Sequence, residues 1–351
     1  MELKIIKKVI RFMIKFIISI SLLFSIFMLL VFYCNFNPFT NLRTLWVTTA
    51  MSTFKHQWLA TMFISKTEID KILNENKVVP TSAKTDISKI KIINHDPPES
   101  VVSEASNTTS TDTVYSNSNN ISIINIKDTN YIGKLMIVDN PARIQLALIN
   151  EFGKNHSGLK LSVLAKKYNA EAAITASGFQ DYNGEGNGGI PTGIVVKNGK
   201  VLYNDGMQSF NIVGFDYNNR LITGDFTLAD IRKNNIKDAV SFGPALIING
   251  TATTIIGDGG WGIQPRSAIG QTVDGRVLLL EIDGRQPTYS LGATIREVQN
   301  IMIKYGAINA SNLDGGSSTV MYYDGDIINK PCGPLGSTGG RYLPTAFIVT
   351  K

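Results

Sequence analysis

Residues 294–319 read TIREVQNIMIKYGAINASNLDGGSST. Thr294 and Glu297 stand at capping-box spacing, and Ile295, Val298, Met302 and Tyr305 follow at helical intervals. Gly306 lacks the side chain that would resist a left-handed helix terminus, so the helix is expected to stop there. Ala307–Leu313 then reads as a strand that runs straight into Asp314-Gly315-Gly316-Ser317-Ser318-Thr319. A strand held in a sheet is rigid enough to aim such a polar loop at a ligand.

Outward from this stretch, short apolar runs alternate with turn signals. Ile121–Ile126, Leu135–Val138, Ile144–Ile149, Gly193–Val196, Asn211–Phe215, Ala245–Ile248, Val277–Ile282 and Ala346–Val349 all read as strands. Asn198-Gly199, Asn249-Gly250, Asp274-Gly275 and Asp324-Gly325 are hairpin dipeptides. Further helices are expected at Lys160–Tyr168 and Leu228–Asn234. The balance predicts an α+β fold, a single domain rich in mixed β-sheet.

A second polar cluster follows the strand Val277–Ile282, which leads into Asp283-Gly284-Arg285. Arg266 and Arg341 add guanidinium forks that match phosphate or carboxylate. Asp283-Gly284 alone is as readily a hairpin corner, and Arg266 alone is more often a surface or ion-pair residue. Their concentration with Asp314 and the glycine-serine loop points to chemistry on a phosphorylated or acidic substrate.

Several other classes are disfavoured. The Gly184-Gly186-Gly189 and Gly257-Gly259-Gly262 matches to a dinucleotide fingerprint are followed by Pro191 and Pro265 and open no helix. Gly193 to Lys200 has the wrong spacing for a P-loop, and Val201 stands where Ser or Thr is required. His56, His95 and His156 all lie outside the glycine-rich region, which argues against a histidine triad or zinc centre. Cys34 and Cys332 suit neither a metal site nor an intrachain disulfide. The net charge of +6 is concentrated before residue 35: without that segment 29 basic and 27 acidic residues remain, so nucleic acid is not an expected partner.

Phe16–Cys34 is 19 residues long and uncharged, long enough to cross a bilayer as a helix. Lys4, Lys7, Lys8, Arg11 and Lys15 precede it, which by the positive-inside rule puts the remainder outside the cytoplasm. The length of the run and the lack of a prompt small-x-small site favour an uncleaved anchor over a signal peptide. Val47, Met51, Phe54, Trp58 and Met62 fall at helical spacing over 45–63, and Ser65 with Glu68 caps a further short helix through Leu73. Residues 80–120, with Asp96-Pro97-Pro98 and a polar tract from Ser103, read as a flexible tether. The expected plan is therefore 1–40 basic segment and anchor, 41–79 helical stalk, 80–120 linker and 121–351 catalytic domain.

Ile174–Phe179, Pro191–Val195, Ser241–Leu246 with Asn249-Gly250, Pro265–Gly270, Asp283–Arg285, Asn312–Thr319 and Asn329 with Arg341 occur in an order that resembles the phosphodiester glycosidase family over about residues 130–350. Thr175 departs from the family's usual Asn, and Ser317 takes the place of a third glycine. The resemblance implies hydrolysis of sugar-1-phosphate diesters, without a cofactor, in an extracytoplasmic setting. It makes glycosyl-phosphate links in wall or capsular polymers the expected substrates.

Such cleavage builds positive charge on the sugar and negative charge on the departing phosphate. The expected roles are Asp314 as nucleophile or base, Asp283 as a second carboxylate or an arginine-positioning group, and Arg266 and Arg285 as phosphate ligands. Gly315, Gly316 and Ser318 would complete the anion cradle, with Asn312, Ser177 and Arg341 binding substrate. A non-catalytic module for anionic glycans would use the same arginines. A serine hydrolase using Ser317 or Ser318 lacks an evident histidine base. Asp258, Asp283 and Asp314 are the oxygen ligands available should a divalent cation bind.

Overall fold

The computed structural model describes residues 2–53, 55–92, 114–117, 120–333 and 339–351. Four helices come first: α1 (Glu2–Tyr33), α2 (Phe39–Met51), α3 (Trp58–Thr61) and α4 (Lys66–Glu75). Next are β1 (Val114–Asn117), β2 (Ile121–Lys127), β3 (Ile132–Val138), β4 (Ile144–Leu148), α5 (Leu161–Lys167), β5 (Ala170–Thr175), β6 (Ile194–Lys197), β7 (Lys200–Asn204), β8 (Ser209–Asp216) and β9 (Leu221–Thr227). Then come α6 (Leu228–Lys233), β10 (Ile236–Ser241), β11 (Ala245–Ile248), β12 (Thr251–Ala252), β13 (Arg266–Thr272), β14 (Val277–Ile282) and α7 (Ile295–Lys304). The order closes with β15 (Ala307–Leu313), β16 (Met321–Tyr323), β17 (Asp326–Ile327) and β18 (Thr345–Thr350).

The strands form three sheets. One has eight strands in the order β1-β2-β3-β14-β13-β15-β11-β12, and two have five, β7-β6-β10-β8-β9 and β17-β16-β5-β18-β4. Every pairing between the described strands is antiparallel, so the sheets are antiparallel rather than mixed. Tight turns account for part of this. Asn198-Gly199, Asn249-Gly250 and Asp324-Gly325 join β6 to β7, β11 to β12 and β16 to β17, and both residues of each pair have positive φ. Two such residues match the twist of antiparallel strands.

A common core holds the sheets together. Met136, Ile174, Val195, Phe215, Ile269, Leu279, Leu313 and Phe347 bring all three sheets into one buried cluster. Each sheet also carries one helix on its outer face: α7 packs on the eight-stranded sheet, α5 on the sheet containing β5, and α6 on the sheet containing β10. Thr294 caps α7 in a reciprocal capping box with Glu297, and Gly306 follows at φ +78°. Thr227 and Asp230 make an equivalent box on α6.

The N-terminal part departs from a free stalk and tether. The continuous helix expected over 45–63 breaks between Met51 and Trp58, giving α2 and α3; Phe54 lies outside the described residues. Val31 and Phe32 of α1 are buried with Val47, Ala50, Ala60, Ile64, Ile69 and Ile72, forming a small helical bundle. That bundle docks on the sheet domain. Thr48 donates to Asp258 at 2.5 Å, Ile263 donates to the Thr49 hydroxyl at 3.1 Å, and Gln264 donates to the Thr49 carbonyl and the Ser52 hydroxyl at 3.2 and 2.9 Å.

Residues 77–92 then run along the domain surface as a strap. Val79, Thr85 and Lys91 donate their amides to Thr254, Thr223 and Val273, Lys84 pairs with Asp230 at 2.7 Å, and Ile90 is buried. The expected tether is thus bound to the domain through residue 92. Its Asp96-Pro97-Pro98 and most of its Ser103–Asn120 tract lie outside the described residues.

Candidate active site

Sheet register decides which residues meet. β13 lies between β14 and β15 and runs antiparallel to both, with Arg266 opposite Ile282 and Ser267 opposite Leu313. The start of β13 therefore meets the exits of β14 and β15. Arg266, Arg285 and the Asp314–Ser318 loop line one cavity of about 930 Å³ together with Asn312 and Arg341. Five cationic side chains, Lys55, Lys160, Arg266, Arg285 and Arg341, face it against the carboxylates of Asp181, Glu185 and Asp314. An excess of positive charge over low-dielectric walls attracts anions.

Asp314 follows directly from β15, and its amide donates to the Ala176 carbonyl at 3.1 Å, which ties this loop to the exit of β5. One carboxyl oxygen, Oδ2, is buried with no hydrogen-bond partner among the described residues. Burial pushes this carboxyl up to about 7, against the opposing pull of the Ser318 hydroxyl, the Arg341 charge and the Gly315 amide. A carboxyl that titrates near neutrality is suited to general acid or base work, and above that pH it is ionised as a nucleophile must be.

The three arginines are held differently. Arg266 is 3% exposed, and its Nε and Nη2 donate to the carbonyls of Ala293, Trp261 and Gly262 at 2.7–2.9 Å. Burial and the neighbouring Arg285 charge pull its pKa down to about 9, so it stays cationic at neutral pH. Arg285 sits at φ +58°, a conformation that costs a side-chain-bearing residue about 1 kcal/mol. Its Nε donates to Gln264 at 2.7 Å and its Nη1 to Ser317 at 3.3 Å. Gln264 is the residue gripped by Thr49 and Ser52, so the helical bundle orients Arg285 through one side chain.

Arg341 forks onto both carboxyl oxygens of Asp181, donates to the Gly186 carbonyl at 2.6 Å and lies 4.6 Å from the Phe179 ring centre. Burial acts to raise Asp181, but Arg341 and the Gly186 amide outweigh it and hold this carboxyl below its ordinary value.

Four expectations change. Asp283 does not line the cavity. It is 2% exposed and accepts hydrogen bonds from Tyr289, Asn329 and the Lys330 amide at 3.0–3.1 Å. Its side chain fixes the 329–330 segment behind the site rather than facing a substrate. Ser177 is fully buried and bonds to the Thr345 hydroxyl at 2.7 Å, joining β5 to β18. The Gly316 amide donates to Pro265 at 2.9 Å and the Gly315 amide turns toward Asp314, so this pair is not a free anion cradle. Gly316 is needed instead for its φ of +60° and for room, since a Cβ there would come within 3.2 Å of the Arg285 guanidinium. Ser318 is buried at the cavity floor, while Asn312 donates to the Gly243 carbonyl at 3.2 Å and leaves its Oδ1 unpaired among the described residues.

Residues not singled out from the sequence also line the cavity. Asp181 is a second acidic group at the site; its one sequence signal is its place just after the Ile174–Phe179 motif. Lys55 and His56 come from the N-terminal bundle, and no local pattern tied them to residues more than 200 positions later. Asp258, Asp283 and Asp314 stand in three different hydrogen-bonding environments. Among the described residues no group of three His, Cys, Asp or Glu side chains is placed to share a metal ion.

The family model described as phosphodiester glycosidase matches residues 168–350, just over half of the chain. The chain is 31% identical over 195 residues to the SPbeta prophage-derived uncharacterized protein YomE of Bacillus subtilis, a match covering 51% of this chain and 28% of that protein. It is 33% identical over 69 residues to the N-acetylglucosamine-1-phosphodiester alpha-N-acetylglucosaminidase of Bos taurus, covering 20% of this chain and 13% of the bovine one. The matched stretches thus span less than a third of either relative. In fold it is similar to the zebrafish N-acetylglucosamine-1-phosphodiester alpha-N-acetylglucosaminidase catalytic domain, solved as auto-inhibited by its pro-peptide, with a TM-score of 0.53, 22% identity, and coverage of 66% of this chain and 82% of that one. With the strand exits of the sheet domain assembled into a single basic cavity and the family model matched across them, the chain belongs to the phosphodiester glycosidase family.

Proposed function

We propose that the protein hydrolyses the glycosidic bond of sugar-1-phosphate diesters, on the outer side of a membrane in which α1 is retained as a single-pass anchor. The observation that carries the reaction is a carboxyl group with a pKa near 7 in a cavity shared with three arginines. In the reaction the anomeric C–O bond breaks and its electron pair leaves with the phosphate oxygen. A water oxygen bonds to the anomeric carbon, directly or after a glycosyl-enzyme intermediate, giving free sugar and a phosphate monoester. Arg285 and Arg266 supply positive charge where the phosphate gains negative charge. Asp314 acts in its ionised form as base or nucleophile, and Arg341, braced by Asp181, adds to the anion-binding wall. No cofactor takes part in this reading, which predicts that a chelator leaves the rate unchanged.

Retention of α1 is supported by its packing. Ile5–Tyr33 is long and apolar enough to cross a membrane, and Val31 and Phe32 at its end are core residues of the bundle that walls the site. Removing α1 would uncover that core. Wall or capsular polymers containing glycosyl phosphates are the substrates this setting favours.

The test uses the full chain in detergent with UDP-sugars, glycosyl diphosphates whose anomeric C–O bond breaks to leave the oxygen on phosphorus as in the diester. Release of free sugar and UDP is expected, and Asp314→Asn should lower turnover by about a hundredfold or more with the fold intact. Binding of the UDP-sugar without product would replace this reading with a non-catalytic module for anionic glycans, and near-normal turnover of Asp314→Asn would remove Asp314 from the chemistry.

A further inference from the structure

The bundle is fixed to the end of α1 at one level. Phe32 stacks on Phe63 with ring centres 4.7 Å apart and meets Trp46 edge-on at 5.7 Å. Arg43 donates to the Phe32 carbonyl and to Asn35 at 2.8 and 3.0 Å, and the Tyr33 hydroxyl donates to the Phe63 carbonyl at 3.3 Å. The apolar run ends at Tyr33, so a membrane crossed by α1 has its water boundary here.

The end of α1 and the segments that follow it expose large apolar and aromatic side chains. Tyr33 is 65% exposed, Phe36 60%, Trp58 52% and Met62 62%. Tryptophan and tyrosine favour the headgroup layer, where the ring meets acyl chains and the polar tip meets water.

The catalytic cavity begins next to this patch. Met51, Ser52, Thr53, Lys55 and His56 form part of its wall, and His56 precedes Trp58 by two residues. Two residues of chain span at most about 7 Å. Docking of Thr48, Thr49 and Ser52, with the strap over 77–92, fixes the bundle against the domain that carries the cavity.

On the glycosidase reading given above, we infer that the Tyr33-Phe36-Trp58-Met62 patch rests in the headgroup layer and that the site takes its substrate from the bilayer. The substrate is a glycosyl phosphodiester esterified to a lipid. Its sugar and phosphate enter the cavity while the hydrocarbon chain stays in the membrane. Hydrolysis breaks the anomeric C–O bond with water as nucleophile, releases the sugar and leaves a lipid phosphate monoester behind.

Two measurements on the full chain in phosphatidylcholine–phosphatidylglycerol nanodiscs test this. In the first, lipids brominated high in the acyl chain should quench a large part of the tryptophan fluorescence, and Trp58→Phe should remove that part; a Trp58 signal quenched by aqueous iodide instead would overturn the membrane contact. In the second, hexadecyl and methyl esters of one sugar-1-phosphate are compared. The hexadecyl ester should show at least about tenfold higher kcat/KM, and Trp58→Ser with Met62→Ser should bring the ratio toward one while the methyl ester rate is unchanged. Equal kcat/KM for the two esters in the unsubstituted chain would overturn the lipid substrate yet leave the glycosidase standing. Hydrolysis of neither ester would end the glycosidase reading and the lipid substrate together, with the quenching still deciding the membrane contact.

Discussion

Asp314 and Glu281 are both buried carboxyls pushed upward by desolvation, and they differ in what they face. Asp314 opens on the cavity, so under the proposed function its titration bears on the reaction. If it works ionised, kcat/KM should rise with pH and level off above about 7; a profile that falls through the same pH would make it the acid instead. Glu281 is fully buried in β14, away from the cavity lining, and burial, then the charge of Asp283, holds its carboxyl well above its ordinary 4.5. A raised folded-state value means the native state binds this proton more tightly than the unfolded chain. Stability is therefore complete below about pH 4.5 and declines as pH climbs toward the folded value. Glu281→Gln should raise the melting temperature at pH 8 and change little at pH 4, since each pKa unit is worth about 1.4 kcal/mol. The sequence showed Asp314, Arg266, Arg285 and Arg341 as candidates because each belongs to a polar group beside an apolar strand or a glycine-rich loop. It did not separate Asp283 or Ser177 from them, because letters that follow a strand do not say whether a side chain turns to the cavity or into the body of the protein.

Elements were legible where local chemistry defined them. The capping box and terminal glycine delimited α7, and the Asn-Gly and Asp-Gly pairs placed four hairpins. The strands that escaped notice lacked apolar alternation. β5 is rich in alanine and β13 carries Arg, Ser, Gly, Gln and Thr, yet both are fully buried because the inter-sheet core covers one face and a helix, α5 or α7, the other. Some of their polar groups find distant partners, as when Gln271 of β13 bonds to Leu221 and Asn219, while the Ser267 and Thr175 hydroxyls stay unpaired among the described residues. The same kind of link joins α2 to the site through Gln264 and Arg285. Gln264→Leu should free the Arg285 guanidinium and raise KM about fivefold, close to the loss of one net hydrogen bond, with a smaller change in kcat. An unchanged KM would show that Arg285 is positioned without the bundle.

At the scale of the whole molecule, the order of a long apolar helix, shorter helices and a sheet-rich domain was legible in the sequence, but not how they pack. Thr49 touching Gln264 and Lys77 touching Ile256 are contacts between segments some two hundred residues apart, and no periodicity encodes them. The covering of the site by the N-terminal bundle follows from close backbone approach at the domain surface. A Cβ on Gly262 would lie 2.4 Å from the Thr49 backbone, and one on Gly260 2.3 Å from the Asn76 carbonyl.

The place of β18 has a consequence for biogenesis. Residues 345–350 fill the gap between β4 and β5, which precede them by about two hundred and one hundred and seventy positions. Until that late segment arrives, two alanine- and isoleucine-rich ribbons lack their shared neighbour, and pairing over so long a loop is slow. A nascent chain therefore stays pliable until this late strand has been made. It also leaves unshielded edges that invite clumping, so a chaperone has a defined moment at which to act.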